Sequence, residues 1–133
     1  MFDAKQINEL AFEYYAPLRR VRRYIEDNYH DYISLGKAAQ IAGMERKYFS
    51  TFFHKKVGIC FRYWLMGLRI GKAISLMETE TEDHSITQIA FEIGFMDLTT
   101  FERAFKKCTG LTPTQFKKKV RRSSGNGYRN HDI

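Results

Sequence analysis

The sequence predicts an all-α chain built from two helix-turn-helix units in series. Three observations carry that prediction. Apolar residues recur at helical spacing along most of the chain, and the alternating runs with turn dipeptides that mark an all-β domain are missing. The pattern Leu35, Ala38, Ala39, Ala42, Gly43 returns 51 residues later as Ile86, Ile89, Ala90, Ile93, Gly94. Beyond that glycine, Phe49, Phe53 and Gly58 return as Phe101, Phe105 and Gly110 at an offset of 52, so the second turn holds one inserted residue. A short helix, a glycine-containing turn and a second helix make a helix-turn-helix, and a repeat of it separates this reading from a generic bundle.

Each element follows in order. Residues 1–16 form an N-terminal extension whose Phe2, Ile7, Leu10, Ala11 and Tyr14 fall roughly on one stripe. An extra helix, a linker remnant of a larger regulator and a dimer contact all fit it. Residues 17–60 make the first unit. It opens on a helix from about Pro17 to Tyr29, with Leu18, Val21, Ile25 and Tyr29 on one stripe and Pro17 in the first turn, where its missing N–H costs nothing. Arg19, Arg20, Arg22 and Arg23 lie mostly off that stripe. Ser34 begins the next helix, Gly43 ends it, and a second one carries Phe49, Phe52 and Phe53, expected as its buried face, to Gly58. Glu45 precedes it as a longer, poorer cap that still suits the positive helix end. Residues 61–78 form a linker helix of two apolar faces, Phe61, Trp64, Leu65, Leu68 and Met66, Ile70, Ala73, Ile74, Met77, which calls for cover on both sides. Gly67 and Gly71 inside it fit either close backbone packing or a bend. Residues 79–122 make the second unit, with capping boxes at Ser85–Gln88 and Thr112–Gln115 and Asp97 as a cap between them. A polar tail, 123–133, follows.

Composition narrows the function. The net charge is +7 and the pI about 9.5, which favours a polyanionic partner, nucleic acid before membrane. The most apolar segment, Phe61 to Met77, is interrupted by Arg62, Arg69 and Lys72, and no leader-like run opens the chain, so a cytoplasmic protein without a membrane span is expected. Cys60 and Cys108 stand in no CxxC pair, and His30, His54, His84 and His131 lack metal-ligand spacing. No metal, cofactor or catalytic residue is expected, and the chain is read as a non-enzyme.

The stretch from Gly94 through Phe116 resembles the C-terminal signature of the AraC/XylS family of regulators. That signature has the form GF-x5-F-x3-FKK-x2-G-x-TP-x2-[FY], and Gly94, Phe95, Phe101, Phe105, Lys106, Lys107, Gly110, Thr112, Pro113 and Phe116 fill its fixed positions. The first unit is similar but looser, and Cys60-Phe61 stands where the family often has a small polar residue. The resemblance covers about Leu18 to Arg122. It implies seven helices, as two homeodomain-like subdomains joined by the long linker helix, and a sequence-specific regulator of double-stranded promoter DNA. It further implies an activator that works with RNA polymerase, and a sensor or dimerisation domain absent from this chain. A linker of 17 residues spans about 25 Å at about 1.5 Å per residue, so two recognition helices, about 45–56 and 97–108, are expected in successive major grooves.

Arg46, Lys47, Ser50 and Thr51 are then expected to face outward, with Leu98, Thr99, Glu102 and Arg103 as the matching set. The resemblance carries base reading to Lys47, Ser50, Thr51, Thr99 and Arg103. Arg103 leads, since its fork matches guanine O6 and N7. Arg46, Tyr48, Thr100 and Glu102 follow as base or backbone contacts; an acid at Glu102 accepts from cytosine N4 but repels phosphate. Phosphate contacts are expected from Ser34, Lys55, Lys56, Ser85, Lys106, Lys107 and Thr112, the lysines being open also to a plain solvated-face reading. Lys117, Lys118, Lys119, Arg121 and Arg122 add either non-specific attraction or a solvated helix face. Two other classes of function compete: a DNA-repair enzyme with a reactive cysteine, for which no partner motif accompanies either thiol, and a protein-interaction module that has lost DNA binding.

Overall fold

In the computed structural model the described residues are 7–79 and 84–131, with side chains through Arg122. Among them there is no strand, and the helices run α1 (Ala11–Tyr14), α2 (Ala16–Asn28), α3 (Leu35–Ala42), α4 (Arg46–Val57), α5 (Phe61–Thr79), α6 (Ile86–Glu92), α7 (Leu98–Thr109) and α8 (Pro113–His131). The seven expected helices are α2 to α8. The single turn of α1 precedes them, and α8 carries on into the segment read as a polar tail. The chain divides into two compact units, Met1–Arg69 and Ile70–Ile133, and the division falls within α5.

The repeat is visible in the packing of each unit. In the first, Phe49 and Phe53 lie 5.7 Å apart with rings tilted by 55°, and Phe53 meets Trp64 edge-on at 5.6 Å. In the second, Phe101 and Phe105 lie 5.7 Å apart at 57°, and Phe105 meets Phe116 edge-on at 5.3 Å. Such tilted pairs add about 0.5–1.5 kcal/mol each beyond the area they bury. Ala38, Ala39 and Ala90 are buried, as close approach of two short helices requires. Leu18, Val21 and Ile25 are fully buried on α2, each worth about 1.5–3 kcal/mol of transfer free energy.

Capping chemistry sets the helix ends. Gly43 takes φ +72° and donates its N–H to the α3 carbonyls of Ala39 and Gln40, a left-handed conformation that a Cβ would penalise. Two arginines close helix C-termini from neighbouring helices. Arg20 on α2 donates from Nε to the Ile41 carbonyl at 3.2 Å and from Nη2 to that of Ala42 at 3.0 Å. Arg69 on α5 donates to the carbonyls of Tyr29 at 2.8 Å and Asp31 at 2.7 Å, just past α2. These otherwise orphaned carbonyls gain charge-assisted partners, and the cations complement the negative helix ends. Burial lowers the Arg69 pKa, but an arginine remains charged.

Three expectations need correction. The leading stripe holds in part: Ala11 is buried and Ile7 packs against the core, but Leu10 and Tyr14 are exposed, and Phe12, off the stripe, is fully buried, stacked on Trp64 at 5.1 Å and edge-on to Phe53 at 5.9 Å. Among the described residues of this segment one helical turn forms, and Asn8 tethers it by donating its N–H to the Val57 carbonyl at 2.7 Å. Phe2 lies outside the described residues. Phe52, taken as buried, is half-buried on the flank of α4. Glu45 is a fuller cap than its length suggested, as its contacts below show. At Gly71 an added Cβ would meet nothing within 4 Å, so close packing does not explain that glycine.

Candidate nucleic-acid interface

Helices α4 and α7 occupy equivalent places in the two repeats and have the same length of 12 residues. Each is anchored by its aromatic pair and presents the opposite side to solvent. On α4, Arg46, Lys47, Tyr48 and Thr51 are exposed and Ser50 is half-buried. On α7, Thr99, Thr100, Glu102 and Arg103 are exposed, whereas Leu98, read as facing outward, is half-buried. Lys47 aligns with Thr99, Ser50 with Glu102 and Thr51 with Arg103.

The start of each helix is already occupied by an acid. Both carboxylate oxygens of Glu45 accept from Lys47 N–H, at 3.0 and 2.7 Å, and one also accepts from Tyr48 N–H at 3.3 Å. Asp97 accepts from Thr100 N–H at 2.8 Å and from the Thr100 hydroxyl at 2.9 Å. The Thr100 amide, its hydroxyl and the nearby Arg103 charge hold the Asp97 carboxyl below its usual range. The carboxylates thus take up amides that would otherwise be open to an anion at each helix start. Thr100 gives its hydroxyl proton to Asp97, which leaves it only an acceptor for a ligand.

The expected phosphate contacts fall into two kinds. Ser34, Ser85 and Thr112 are N-caps: their hydroxyl oxygens accept from Lys37 N–H at 3.0 Å, Gln88 N–H at 3.1 Å and Gln115 N–H at 3.1 Å. Gln88 and Gln115 reciprocate through their own side chains, completing both capping boxes. Each cap hydroxyl keeps its own proton as a donor. Lys55, Lys106 and Lys107 are exposed beside the outward faces, but Lys56 is half-buried, its Nζ 5.2 Å from the Tyr15 ring centroid and 6.0 Å from that of Phe52. The terminal basic run is also partly structural: Lys117 donates to the His84 carbonyl at 2.8 Å, tying α8 to the start of α6.

His54 is a residue the sequence reading passed over. It is exposed one turn beyond Ser50 and aligns with Lys106 at the repeat offset, a signal that was present in the sequence. Arg20 and Arg69 were the opposite case, cations spent on holding the fold. Among the described residues no group of His, Cys, Asp and Glu side chains could hold a metal ion. No described helix is long and apolar enough to cross a membrane. Cys60 and Cys108 are free, half-buried thiols, and burial pushes the Cys108 thiol up, away from the reactive thiolate.

The chain has clear relatives. A family model described as a helix-turn-helix domain matches residues 38–119. An uncharacterized HTH-type transcriptional regulator of Staphylococcus aureus (strain MSSA476) is 31% identical over 100 residues, which are 75% of this chain and 13% of that protein. The HTH-type transcriptional regulator RipA of Corynebacterium glutamicum is 33% identical over 98 residues, 74% of this chain and 29% of its own length. This chain thus matches only a minor part of those curated relatives. Among solved structures it is similar to the DNA-binding domain of AdpA, a global transcriptional factor captured with a target DNA. There the identity is 25% and the TM-score 0.74, over 80% of this chain and 95% of that one.

Proposed function

This chain belongs to the AraC-type helix-turn-helix family of transcriptional regulators, and from that premise we propose that it reads one promoter site with α4 and α7 in successive major grooves. The observation that carries the reading is the pair of equivalent 12-residue helices, each buried on one side and polar on the other. An α-helix about 10–12 Å across fits a major groove about 12 Å wide.

Lys47, Ser50 and Thr51 read bases in one half-site, and Thr99 and Arg103 in the other. Arg103 pairs with guanine. Arg46, Tyr48, Thr100 and Glu102 contact base edges or backbone. Ser34, Lys55, Ser85, Lys106, Lys107 and Thr112 contact phosphates. These contacts fix register, while the base contacts specify sequence. The regulator acts in the cytoplasm as an activator, through contact with RNA polymerase at the promoter. Both thiols are half-buried, and the raised Cys108 pKa supports a binding role over a catalytic one.

Selection of bound duplexes from a random pool, followed by affinity measurement on the enriched sequence, tests the reading. Enrichment of one asymmetric site is expected. Arg103→Ala should then cost about 1–3 kcal/mol and relax preference at one base step. Equal affinity for selected and random DNA would overturn it.

A further inference from the structure

By the repeat offset, the turn between α6 and α7 holds one residue more than the turn between α3 and α4. Equivalent backbone bonds locate it. Met44 N–H donates to the Ala39 carbonyl at 2.9 Å and Phe95 N–H to that of Ala90 at 3.0 Å, so Met44 and Phe95 match at the offset of 51. Glu45 and Asp97, the caps of α4 and α7, match at 52. Met96, between Phe95 and Asp97, therefore has no counterpart in the first unit. An apolar residue just before an N-cap ordinarily packs onto the fourth residue of the helix and fixes the entry of the chain. In the second unit Phe95 has taken that task, meeting Phe101 edge-on at 5.3 Å, much as Met44 packs against the core of the first. Met96 is left 76% exposed, immediately ahead of the cap of α7. Packing gives it no role.

We propose that Met96 is a specificity-determining residue of the second unit, packing its thioether chain on the 5-methyl group of a thymine at the edge of the α7 half-site. The inference rests on the DNA-binding reading above and adds to it a contact made by the turn rather than by the helix. A recognition helix meets base edges with its N-terminal residues, so the residue ahead of its cap arrives at the same groove. At this end of α7, Asp97 and Thr100 are engaged with each other through two bonds of 2.8 and 2.9 Å, while Met96 and Thr99 stand exposed. What Met96 recognises follows from its chemistry. It has no hydrogen-bond donor and only a weak acceptor, so it does not read the amino and carbonyl groups of the base edges or hold a phosphate. The thymine methyl is the apolar group that a base pair presents in the major groove. An unbranched chain with three rotatable bonds adapts to it without a preformed pocket. The first unit has no residue at this place, so the thymine preference belongs to one half-site.

The test uses the full chain, its target selected from a random pool, and duplexes in which each thymine of the α7 half-site is replaced in turn by deoxyuridine. That exchange deletes the methyl alone. Wild type should lose about 4-fold in affinity at one edge thymine, the worth of burying one methyl-sized group. Met96→Ala should lose nothing there, a coupling that a double-mutant cycle isolates, whereas Arg103→Ala should keep the full methyl effect. Pool selection with Met96→Ala should no longer enrich thymine at that position. Because Met96 is exposed, its variant should melt as wild type does, and the deoxyuridine series on wild type tests the contact without any variant. Indifference of wild type to every methyl of the half-site would overturn the proposal. So would methyl effects that all survive in Met96→Ala, or a selected half-site without thymine. Each of these leaves the DNA-binding reading standing, and only failure of the wild type to bind any duplex overturns that reading itself.

Discussion

Gly71 and Gly110 form a matched pair for separating backbone from packing. A Cβ added at either would meet nothing within 4 Å. Gly71 lies inside α5 and is not among the positive-φ glycines, whereas Gly110 ends α7 at φ +85°. Sterics are equal, so the sign of the alanine effect should follow backbone conformation alone. At Gly71, alanine replaces the poorest non-proline helix former with the best, for a gain of up to about 1 kcal/mol. For a chain of this size that corresponds to a rise in Tm of about 4 °C. At Gly110, alanine must sit in the left-handed region, at a cost of about 1–2 kcal/mol and a fall of about 4–8 °C. Far-UV circular dichroism melts of the two variants, checked by urea titration, measure both. A lower Tm for Gly71→Ala would refute the reasoning and point to a bend in α5 that glycine permits. An unchanged Tm for Gly110→Ala would show that the end of α7 is not held left-handed.

The remaining expectations concern charge and spacing. Log affinity should fall linearly with log salt at about −0.9 per phosphate neutralised, and Lys106→Gln should flatten that slope, as anisotropy titrations would reveal. Asp97 has a folded pKa below the usual 3.8, so its stabilising contribution is complete above that value and is lost as pH falls below it. Melts at decreasing pH should therefore show a loss for wild type that Asp97→Asn lacks. Targets with one to five base pairs inserted between half-sites should bind more weakly, and footprinting that showed every insertion tolerated would contradict reading by one helix-joined pair.

Fold and site were legible in the sequence to different degrees. The repeat could be read because helix packing depends on a few large and small side chains at fixed offsets. Ala38 and Ala90, Phe49 and Phe101, and Gly58 and Gly110 each do the same job twice. The serine and threonine caps were equally readable, since their partners lie three residues away. What failed was long-range. Nothing near Phe12 in the sequence signals that it completes a core made by Phe53 and Trp64. Arg20 and Arg69 look like surface cations until the helix ends they close, 21 to 40 residues away, come into view. Lys56 likewise could be placed only once Tyr15 was seen beneath it.

The divergence between the units bears on what kind of site one chain can read. The scaffold is held almost constant: the aromatic pairs of α4 and α7 are both 5.7 Å apart, with tilts that differ by two degrees. Yet Lys47, Ser50 and Thr51 are matched by Thr99, Glu102 and Arg103, and no position keeps its residue. Selection for packing alone would leave the outward positions drifting among soluble residues, but Glu102 is an acid placed where a DNA partner is a polyanion. On the reading proposed above, it would penalise bases that offer no amino group to accept from, while Arg103 beside it would restore attraction. If both faces read bases as proposed, two equal frames with unequal faces call for two unequal half-sites. On that reading the target need not be a palindrome, which mirrors the two-fold axis of a symmetric dimer. Swapping the faces, by placing Thr99, Glu102 and Arg103 at 47, 50 and 51 and the reverse, should therefore bind the target with its half-sites exchanged. Pool selection with that variant would show it, and recovery of the original site would mean that the flanks rather than the faces set the sequence.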